Sequence, residues 1–360
     1  MSEEIFLMKG NEAIAHAAVR YGADGYFGYP ITPQSEILET LMDLAPWKTT
    51  GMVVMQAESE LASVNMVYGG AGCGKAVFTS SSSPGMSLML EGVSYLAGAE
   101  LPCLLINVMR GGPGLGTIQA SQSDYFQAVK GGGHGDYNMI VLAPASVQEM
   151  ADFVVKGFDY AFEYRNPTMI LADGVIGQMM EKVTLPPFRP RRTDDEIKAS
   201  CPWASLGRRK GDAPSIITSI DLDSQRMEER NLHLQRKYQE IKDKVCLYEE
   251  IECDDAEYIL VAYGSSARIC RKAVELAREQ GIKVGLIRPI TLWPFPTKII
   301  QNRIAQVKGF LTVEMSAGQM VEDVRLAVEG RTKVDFFGRL GGIIPTPDEV
   351  VHALKEKFNC

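Results

Sequence analysis

Short runs of consecutive apolar residues alternate, through the first half of the chain, with stretches whose apolar positions recur every three or four residues. The first pattern fits strands buried on both faces, and the second fits amphipathic helices. Gly10 to Tyr21 carries Ala13, Ile14, Ala17 and Ala18 at helical spacing, with Gly22 as a stop signal. Gly25-Tyr-Phe-Gly-Tyr29 reads as a strand and Gln34 to Leu44 as a helix. Met52-Val-Val-Met-Gln56 reads as a buried strand, and Ser59 to Tyr68 as the helix that follows. Further strands are predicted at Ala76-Val-Phe-Thr-Ser80, Cys103 to Val108, Met139 to Leu142 and Met169 to Ala172. Ser146-Val-Gln-Glu149 has the spacing of a capping box opening a helix to about Tyr164. Such alternation implies an α/β fold with a mostly parallel sheet covered on both faces.

The pattern dissolves between Thr184 and about Ser219, where Leu185-Pro-Pro-Phe-Arg-Pro-Arg-Arg192 reads as an extended linker. A charged helix is predicted from Ser224 to Val245. Its apolar positions Met227, Leu234, Tyr238, Ile241 and Val245 lie 7, 4, 3 and 4 apart. That seam is narrow and shorter than the ~3–4 heptads of a coiled coil, so the helix is read as lying along a domain surface. Near Glu257 the alternation resumes with a strand at Tyr258-Ile-Leu-Val-Ala-Tyr263, a turn and cap at Gly264-Ser-Ser266, and a helix from Ala267 to Gln280. Strands are predicted at Lys283 to Ile287, Phe310 to Glu314 and Val334 to Phe337. The resulting division is a first domain over 1–183, a linker with a charged helix over 184–252, and a smaller α/β unit over 253–360.

Composition then removes several classes of function. The 360 residues hold 37 Lys+Arg against 45 Asp+Glu, a net charge of −8. Acidity without a long basic run argues against nucleic acid as a partner. No apolar stretch reaches the ~18 residues of a membrane span. The seven cysteines, at 73, 103, 201, 246, 253, 270 and 360, never form Cys-x-x-Cys, and only four histidines accompany them. Zinc sites and self-ligated iron–sulfur clusters need closely spaced thiolates, so neither is expected on this chain. An odd number of scattered cysteines without a secretory leader fits a reducing cytoplasm.

Three glycine-rich segments resemble other things first. Gly69-Gly-Ala-Gly-Cys-Gly-Lys75 nearly spells a phosphate-cradling loop, but Ala76 stands where the hydroxyl belongs, and the segment follows a helix rather than a strand. It reads as a turn ending a helix. Gly111-Gly-Pro-Gly-Leu-Gly116 follows a strand but lacks the register of a dinucleotide fingerprint. His134 and Asp136, in Gly131-Gly-Gly-His-Gly-Asp136, read as structural groups.

Four chemically richer segments stand at predicted strand ends: Tyr29-Pro-Ile-Thr-Pro33, Gln56-Ala-Glu-Ser-Glu60, Thr79-Ser-Ser-Ser-Ser-Pro-Gly85 and Val108-Met-Arg-Gly-Gly-Pro113. In a parallel sheet they share one rim. An arginine followed by two glycines suits bidentate carboxylate recognition, which needs a guanidinium with room for its ligand. With these segments the chain resembles the α subunits of 2-oxoacid:ferredoxin oxidoreductases, which use thiamine diphosphate. Tyr29 to Pro33 matches that family's substrate-binding turn, and Glu60-Leu-Ala-Ser-Val-Asn-Met-Val-Tyr-Gly69 is similar to its glutamate helix. Met109 to Gly116 resembles its arginine loop, and the region after Glu257 resembles a transketolase C-terminal domain. Met109 to Gln119, Ser121 to Phe126 and Gly131 to Asp136 most resemble the branched-chain, 2-oxoisovalerate, members. The resemblance therefore implies a pyrimidine-binding fold followed by a smaller transketolase C-terminal-like domain.

It also implies roles. Thiamine catalysis starts with loss of the thiazolium C2 proton to the coenzyme's own aminopyrimidine. A carboxyl bonded to the pyrimidine N1′ favours the tautomer that accepts that proton, and works best when desolvated. Glu58 and Glu60 compete for this role. Glu60 keeps the family's nine-residue spacing to Gly69, whereas Glu58 reads as a surface or helix N-terminal charge. Thr32 and Arg110 are the implied carboxylate-binding pair. Pro30, Ile31, Ser81, Ser82 and Ser83 are the implied lining of the cofactor pocket. The family holds the diphosphate through Mg²⁺ on a Gly-Asp-Gly segment, and that tripeptide does not occur here. The chain is thus expected to carry only the pyrimidine half of the site. A β subunit would supply the diphosphate and Mg²⁺ half, and ferredoxin-like and γ subunits the iron–sulfur clusters.

The implied reaction is oxidative decarboxylation of a branched-chain 2-oxoacid with coenzyme A to an acyl-CoA, electrons passing to ferredoxin. Three readings stand beside it: 2-oxoglutarate as the substrate, a non-catalytic scaffold of the same fold, and a nicotinamide dehydrogenase. Against 2-oxoglutarate, Leu115 and Ile118 make the arginine loop apolar where a distal carboxylate needs a second cation.

Overall fold

The computed structural model describes residues 4–208, 211 and 213–360. The first half runs β1 (Ile5–Lys9), α1 (Gly10–Tyr21), β2 (Gly25–Gly28), α2 (Ser35–Leu44), α3 (Pro46–Thr49), β3 (Val53–Gln56), α4 (Glu60–Gly72), β4 (Val77–Ser81) and α5 (Ser83–Gly98). It continues with β5 (Cys103–Met109), α6 (Tyr125–Val129), β6 (Ile140–Leu142), α7 (Val147–Tyr164), β7 (Pro167–Asp173), α8 (Gly174–Gln178) and β8 (Met180–Thr184). Then come α9 (Asp194–Ser200), α10 (Ser224–Lys244), β9 (Tyr248–Ile251), β10 (Tyr258–Val261), α11 (Gly264–Glu279), β11 (Val284–Pro289) and β12 (Thr291–Trp293). The chain finishes with α12 (Thr297–Arg303), β13 (Gly309–Glu314), α13 (Met320–Val328), β14 (Lys333–Gly338) and α14 (Pro347–Phe358).

Seven strands form the first sheet in the order β12-β6-β7-β5-β4-β2-β3. Every neighbouring pair is parallel except β12 with β6. Strand β5 shows why: it is buried along its whole length, and its residues feed two different cores in alternation. Leu104, Ile106 and Val108 join the core under α1, α2 and α7, while Cys103, Leu105 and Met109 join the core under α4 and α5. That second core also takes Leu234, Tyr238 and Ile241 from α10 and Phe310 and Met320 from the C-terminal unit, so the two units share one apolar interior. The five-stranded sheet, β14-β13-β10-β11-β9, is parallel apart from β9 against β11.

The structure departs from the sequence pattern at several points. The serine-rich segment passes directly from strand into helix: Ser81 ends β4, Ser82 is the N-cap and Ser83 opens α5, a helix the sequence pattern does not predict. Pro84 misleads the eye there, because proline is tolerated in the first turn of a helix. Helix α4 runs past Tyr68 to Gly72, and Gly70 is where it meets β4: a Cβ there would stand 2.8 Å from Val77 Cγ1. Gly264-Ser-Ser266 is the first turn of α11 rather than a turn before it. Ser146 caps α7 by accepting from the Glu149 N–H at 3.1 Å, but the Glu149 carboxylate accepts from Ala145 N–H, not from Ser146, and pairs with Arg288. The expected box is therefore half made.

The segment read as a linker is partly structured. It includes residues 209, 210 and 212, which lie outside the described residues. Helix α9 lies within it, with Ile197, Cys201 and Ala204 forming a small core of their own. Arg192 stacks over Phe162 at 4.2 Å and donates to the Gly74 carbonyl at 2.7 Å, docking this segment on the first unit. Strand β9 lies in the same segment, so the second sheet begins inside it. Strand β12, from the C-terminal unit, crosses over to edge the first sheet.

Candidate functional site

Because β2, β3, β4 and β5 are parallel, their carboxyl ends open on one rim, where open α/β sheets bind ligands. The turn after β2 is held from below. Gln34, fully buried, donates to the Tyr29 carbonyl at 3.0 Å and accepts from Ser80 Oγ at 2.6 Å, and Ser80 is in turn bonded to Tyr26 Oη. Asn11 Nδ2 donates to the Pro33 carbonyl at 2.8 Å, and the Thr32–Pro33 peptide is cis. Pro30 and Thr32 are left exposed, with Ile31 half-buried.

The two candidate glutamates have different surroundings. Glu60 opens α4 behind its N-cap Ser59 and is 5% exposed. Glu58 is exposed and accepts a bond from Ser59 Oγ at 2.9 Å. The Glu60 carboxylate faces α5 at Gly85, where an added Cβ would stand 2.3 Å from Oε1 and 2.1 Å from Ser81 Oγ. Ser81 and Ser82 are fully buried, and their hydroxyls have no hydrogen-bond partner among the described residues. Buried hydroxyls without partners are costly unless something else satisfies them. Ser83 differs, since its hydroxyl is taken up by Asp124 and by the backbone of Arg110.

Arg110 follows β5. Its Nη1 donates to the Thr32 carbonyl at 3.1 Å and its Nη2 to the Leu115 carbonyl at 2.9 Å, while its Nε, buried, has no partner among the described residues. The structure thus joins Thr32 and Arg110, through the threonine carbonyl rather than its hydroxyl. The loop between closes on itself: Gly111 N–H donates to the Gln119 carbonyl, and Arg110 and Ala120 form a bridge. Gly116 at φ +59 is obligatory there, because a Cβ would stand 1.7 Å from the Gly111 carbonyl oxygen. Leu115 and Ile118 on this loop are exposed at 83% and 58%. Beside Thr32 lies a cavity of about 560 Å³ lined by Pro33, Glu36, Ile118 and, from the C-terminal unit, Ile344.

Two groups at the rim escape sequence reasoning. Asn107 interrupts the apolar run of β5, and Asp124 lies beyond the loop; they meet at 2.9 Å behind Arg110. Burial raises the Asp124 carboxyl above its usual range, against the bonds from Ser83 and Asn107. A polar residue inside an otherwise apolar buried strand is the signal that marks Asn107. His134 lies elsewhere, exposed, with Nδ1 at 3.3 Å from Ser94 Oγ. All seven cysteines are free. Among the described residues no helix is long and apolar enough to cross a membrane, and no cluster of His, Cys, Asp or Glu could hold a metal ion.

A family model described as pyruvate flavodoxin/ferredoxin oxidoreductase, thiamine diphosphate-binding, matches residues 16–245. A second, described as pyruvate:ferredoxin oxidoreductase core domain II, matches residues 256–350. The chain is 48% identical to ketoisovalerate oxidoreductase subunit VorB of Methanothermobacter thermautotrophicus, covering 97% of each chain. It is 36% identical to 2-oxoglutarate synthase subunit KorA of Archaeoglobus fulgidus, over 94% of this chain and 96% of the relative. A solved 2-oxoglutarate:ferredoxin oxidoreductase from Magnetococcus marinus, with 2-oxoglutarate, coenzyme A and succinyl-CoA bound, superposes with a TM-score of 0.82 at 26% identity. That match covers 99% of this chain and 66% of the other, longer one. The buried Glu60 carboxylate and the unpartnered Ser81 and Ser82 hydroxyls fit the pyrimidine end of such a coenzyme.

Proposed function

This chain belongs to the thiamine-diphosphate-binding pyruvate flavodoxin/ferredoxin oxidoreductase family, as an α-subunit-like member, and on that premise we propose that it serves the oxidative decarboxylation of 2-oxoisovalerate. The products are an acyl-CoA and CO₂, with the electrons delivered to ferredoxin. The observation that carries the site is the Glu60 carboxylate, buried at the start of α4 against Gly85, where the partnerless Ser81 hydroxyl also lies. The substrate rests on the 48% identity to a ketoisovalerate oxidoreductase subunit, against 36% for a 2-oxoglutarate relative. Exposed Leu115 and Ile118 agree with an aliphatic side chain rather than a second carboxylate.

Bound thiamine diphosphate supplies the nucleophilic carbon and the electron sink for decarboxylation. Glu60 would hold a proton at the pyrimidine N1′ from its buried place at the start of α4. Ser81, whose unpartnered hydroxyl lies near the Glu60 carboxylate, would line the same pocket, with Ser82 as a further lining residue. Arg110 receives the substrate carboxylate. Nη1 and Nη2 each commit one N–H to a backbone carbonyl, which leaves each a second N–H for the carboxylate, and Thr32 lies on the exposed turn beside it. A second polypeptide would bring the diphosphate and Mg²⁺ to the rim, because this chain has no Gly-Asp-Gly segment to hold them. We assign that half to a β subunit, the iron–sulfur clusters to ferredoxin-like and γ subunits, and the whole assembly to the cytoplasm.

The test is a substrate panel on the complex purified with its partner subunits, reading coenzyme A-dependent reduction of ferredoxin. The highest kcat/KM is expected with 2-oxoisovalerate. A preference for 2-oxoglutarate would replace the substrate, and no turnover of any 2-oxoacid by a thiamine-loaded complex would leave a scaffold.

A further inference from the structure

The base of the Arg110 loop is fixed by a chain of polar groups that the decarboxylation chemistry does not itself use. The Arg110 backbone N–H donates to Ser83 Oγ at 3.0 Å, and the Ser83 hydroxyl lies 2.6 Å from Asp124 Oδ2. Asn107 Nδ2 donates to that same carboxylate oxygen at 2.9 Å, and Asn107 Oδ1 accepts from the Ser83 N–H at 3.2 Å. The Ser83 hydroxyl also lies 3.2 Å from the Arg110 carbonyl, but its single proton goes to the nearer, charged acceptor. Three elements are tied together in this way: the end of β5, the start of α5 and the residue before α6.

Asp124 occupies the N-cap position of α6, yet its side chain makes no capping bond there. An aspartate in that place ordinarily turns toward its own helix. Here it turns away, toward Ser83 and Asn107. We infer that Asp124 is a positioning residue, which through Ser83 holds the backbone of Arg110, and so its guanidinium, where the 2-oxoacid carboxylate binds. This rests on the assignment of Arg110 to that carboxylate. A displacement of about an ångström in such a group is enough to cost affinity or rate many-fold.

In the assembled complex, Ser83→Ala and Asp124→Ala should each raise the KM for the 2-oxoacid about tenfold, the scale of one charge-assisted hydrogen bond. In Asp124→Ala, whose residue lies outside the cofactor lining, the kcat and the KM for coenzyme A should stay within about twofold of wild type, since the displaced group binds only the 2-oxoacid. Asp124→Asn, which keeps an acceptor for the Ser83 hydroxyl, should recover most of the affinity. A purely structural role would lower the melting temperature without splitting KM from kcat, and that result overturns the inference. Wild-type KM in both alanine variants overturns it as well, provided Arg110→Ala itself raises KM. Unchanged KM in Arg110→Ala removes the underlying assignment instead. Should Asp124→Ala fail to assemble, Ser83→Ala decides alone, because it removes the same link with a smaller change.

Discussion

The α-carbon of Gly85 lies so near Glu60 that a Cβ built on it would stand 2.3 Å from the carboxylate Oε1. Helix α5 meets the glutamate with bare backbone, and the same added carbon would meet Ser81 Oγ at 2.1 Å. Contacts this short oblige something to move, and the free ends of Glu60 and Ser81 are the parts able to do so. Gly85→Ala should therefore displace the Glu60 carboxylate. Overpacking of about 1–3 kcal/mol is partly offset by the better helix propensity of alanine. Turnover of the assembled complex should fall about a hundredfold while the melting temperature changes little. Comparing kcat with the thermal transition checks this, and near-normal turnover would show the carboxylate has room to spare.

Glu60 and Glu58 sit two residues apart, one buried and one in solvent. Glu60→Gln removes the proton-holding group and should lower kcat by about 10²–10⁴-fold with the complex still assembled. Glu58→Gln keeps an acceptor for Ser59, loses only an exposed charge and should stay within about twofold. Steady-state rates of both reconstituted variants decide the matter. Full activity in Glu60→Gln sinks the assignment.

The rim was legible in the sequence because strand ends are local. The runs ending at Tyr29, Gln56, Ser80 and Val108 each announce a strand, and parallel pairing brings their ends together. The run Met52 to Gln56, read as buried, is however the sheet's edge, with Val53 and Met55 exposed. What the sequence hides is made by distant partners. Strand β12 looks like part of the second unit, but its partner is β6, about 150 residues earlier, and no local pattern encodes that pairing. Helix α5 was obscured because Ser82, Ser83, Pro84 and Gly85 have loop composition. In the fold they serve as cap, clamp, first-turn proline and close contact. The clamp on Arg110 needs Asn107 and Asp124 at once, and neither is remarkable until the loop folds over them.

Gln122 joins the two units. It is fully buried: its Nε2 donates to the Tyr263 carbonyl at 2.8 Å, and its Oε1 accepts from Ser266 Oγ at 2.6 Å and from Met315 N–H at 3.0 Å. Gln122→Ala strands all three partners, each at about 1–3 kcal/mol. A loss of about 3 kcal/mol or more is expected, read as a shift in the guanidinium midpoint. Gln122→Glu should be no better, because it turns a donor into an acceptor facing the Tyr263 carbonyl. A midpoint unmoved in both variants would show that the shared apolar interior alone holds the units together.

Asp173, at the end of β7, carries a second junction and gives it a pH dependence. It is 1% exposed, accepts from Ser265 Oγ at 2.6 Å and caps α8 through Val175 and Ile176 N–H. Burial raises its pKa above 3.8, and the bonds from Ser265, Ile176 and Val175 only partly oppose that shift. An acid with a raised folded pKa binds protons better folded than unfolded. Its contribution is complete below the unfolded value and is lost as the pH rises through the folded one. Asp173→Asn, neutral at every pH, removes that term. As the pH falls from neutral toward 3.8, the melting temperature of the wild type should gain on that of Asp173→Asn. Melting curves of both proteins across that range supply the check. A difference that stays constant, or moves in favour of the variant on acidification, would mean that Asp173 remains ionised in the folded protein throughout.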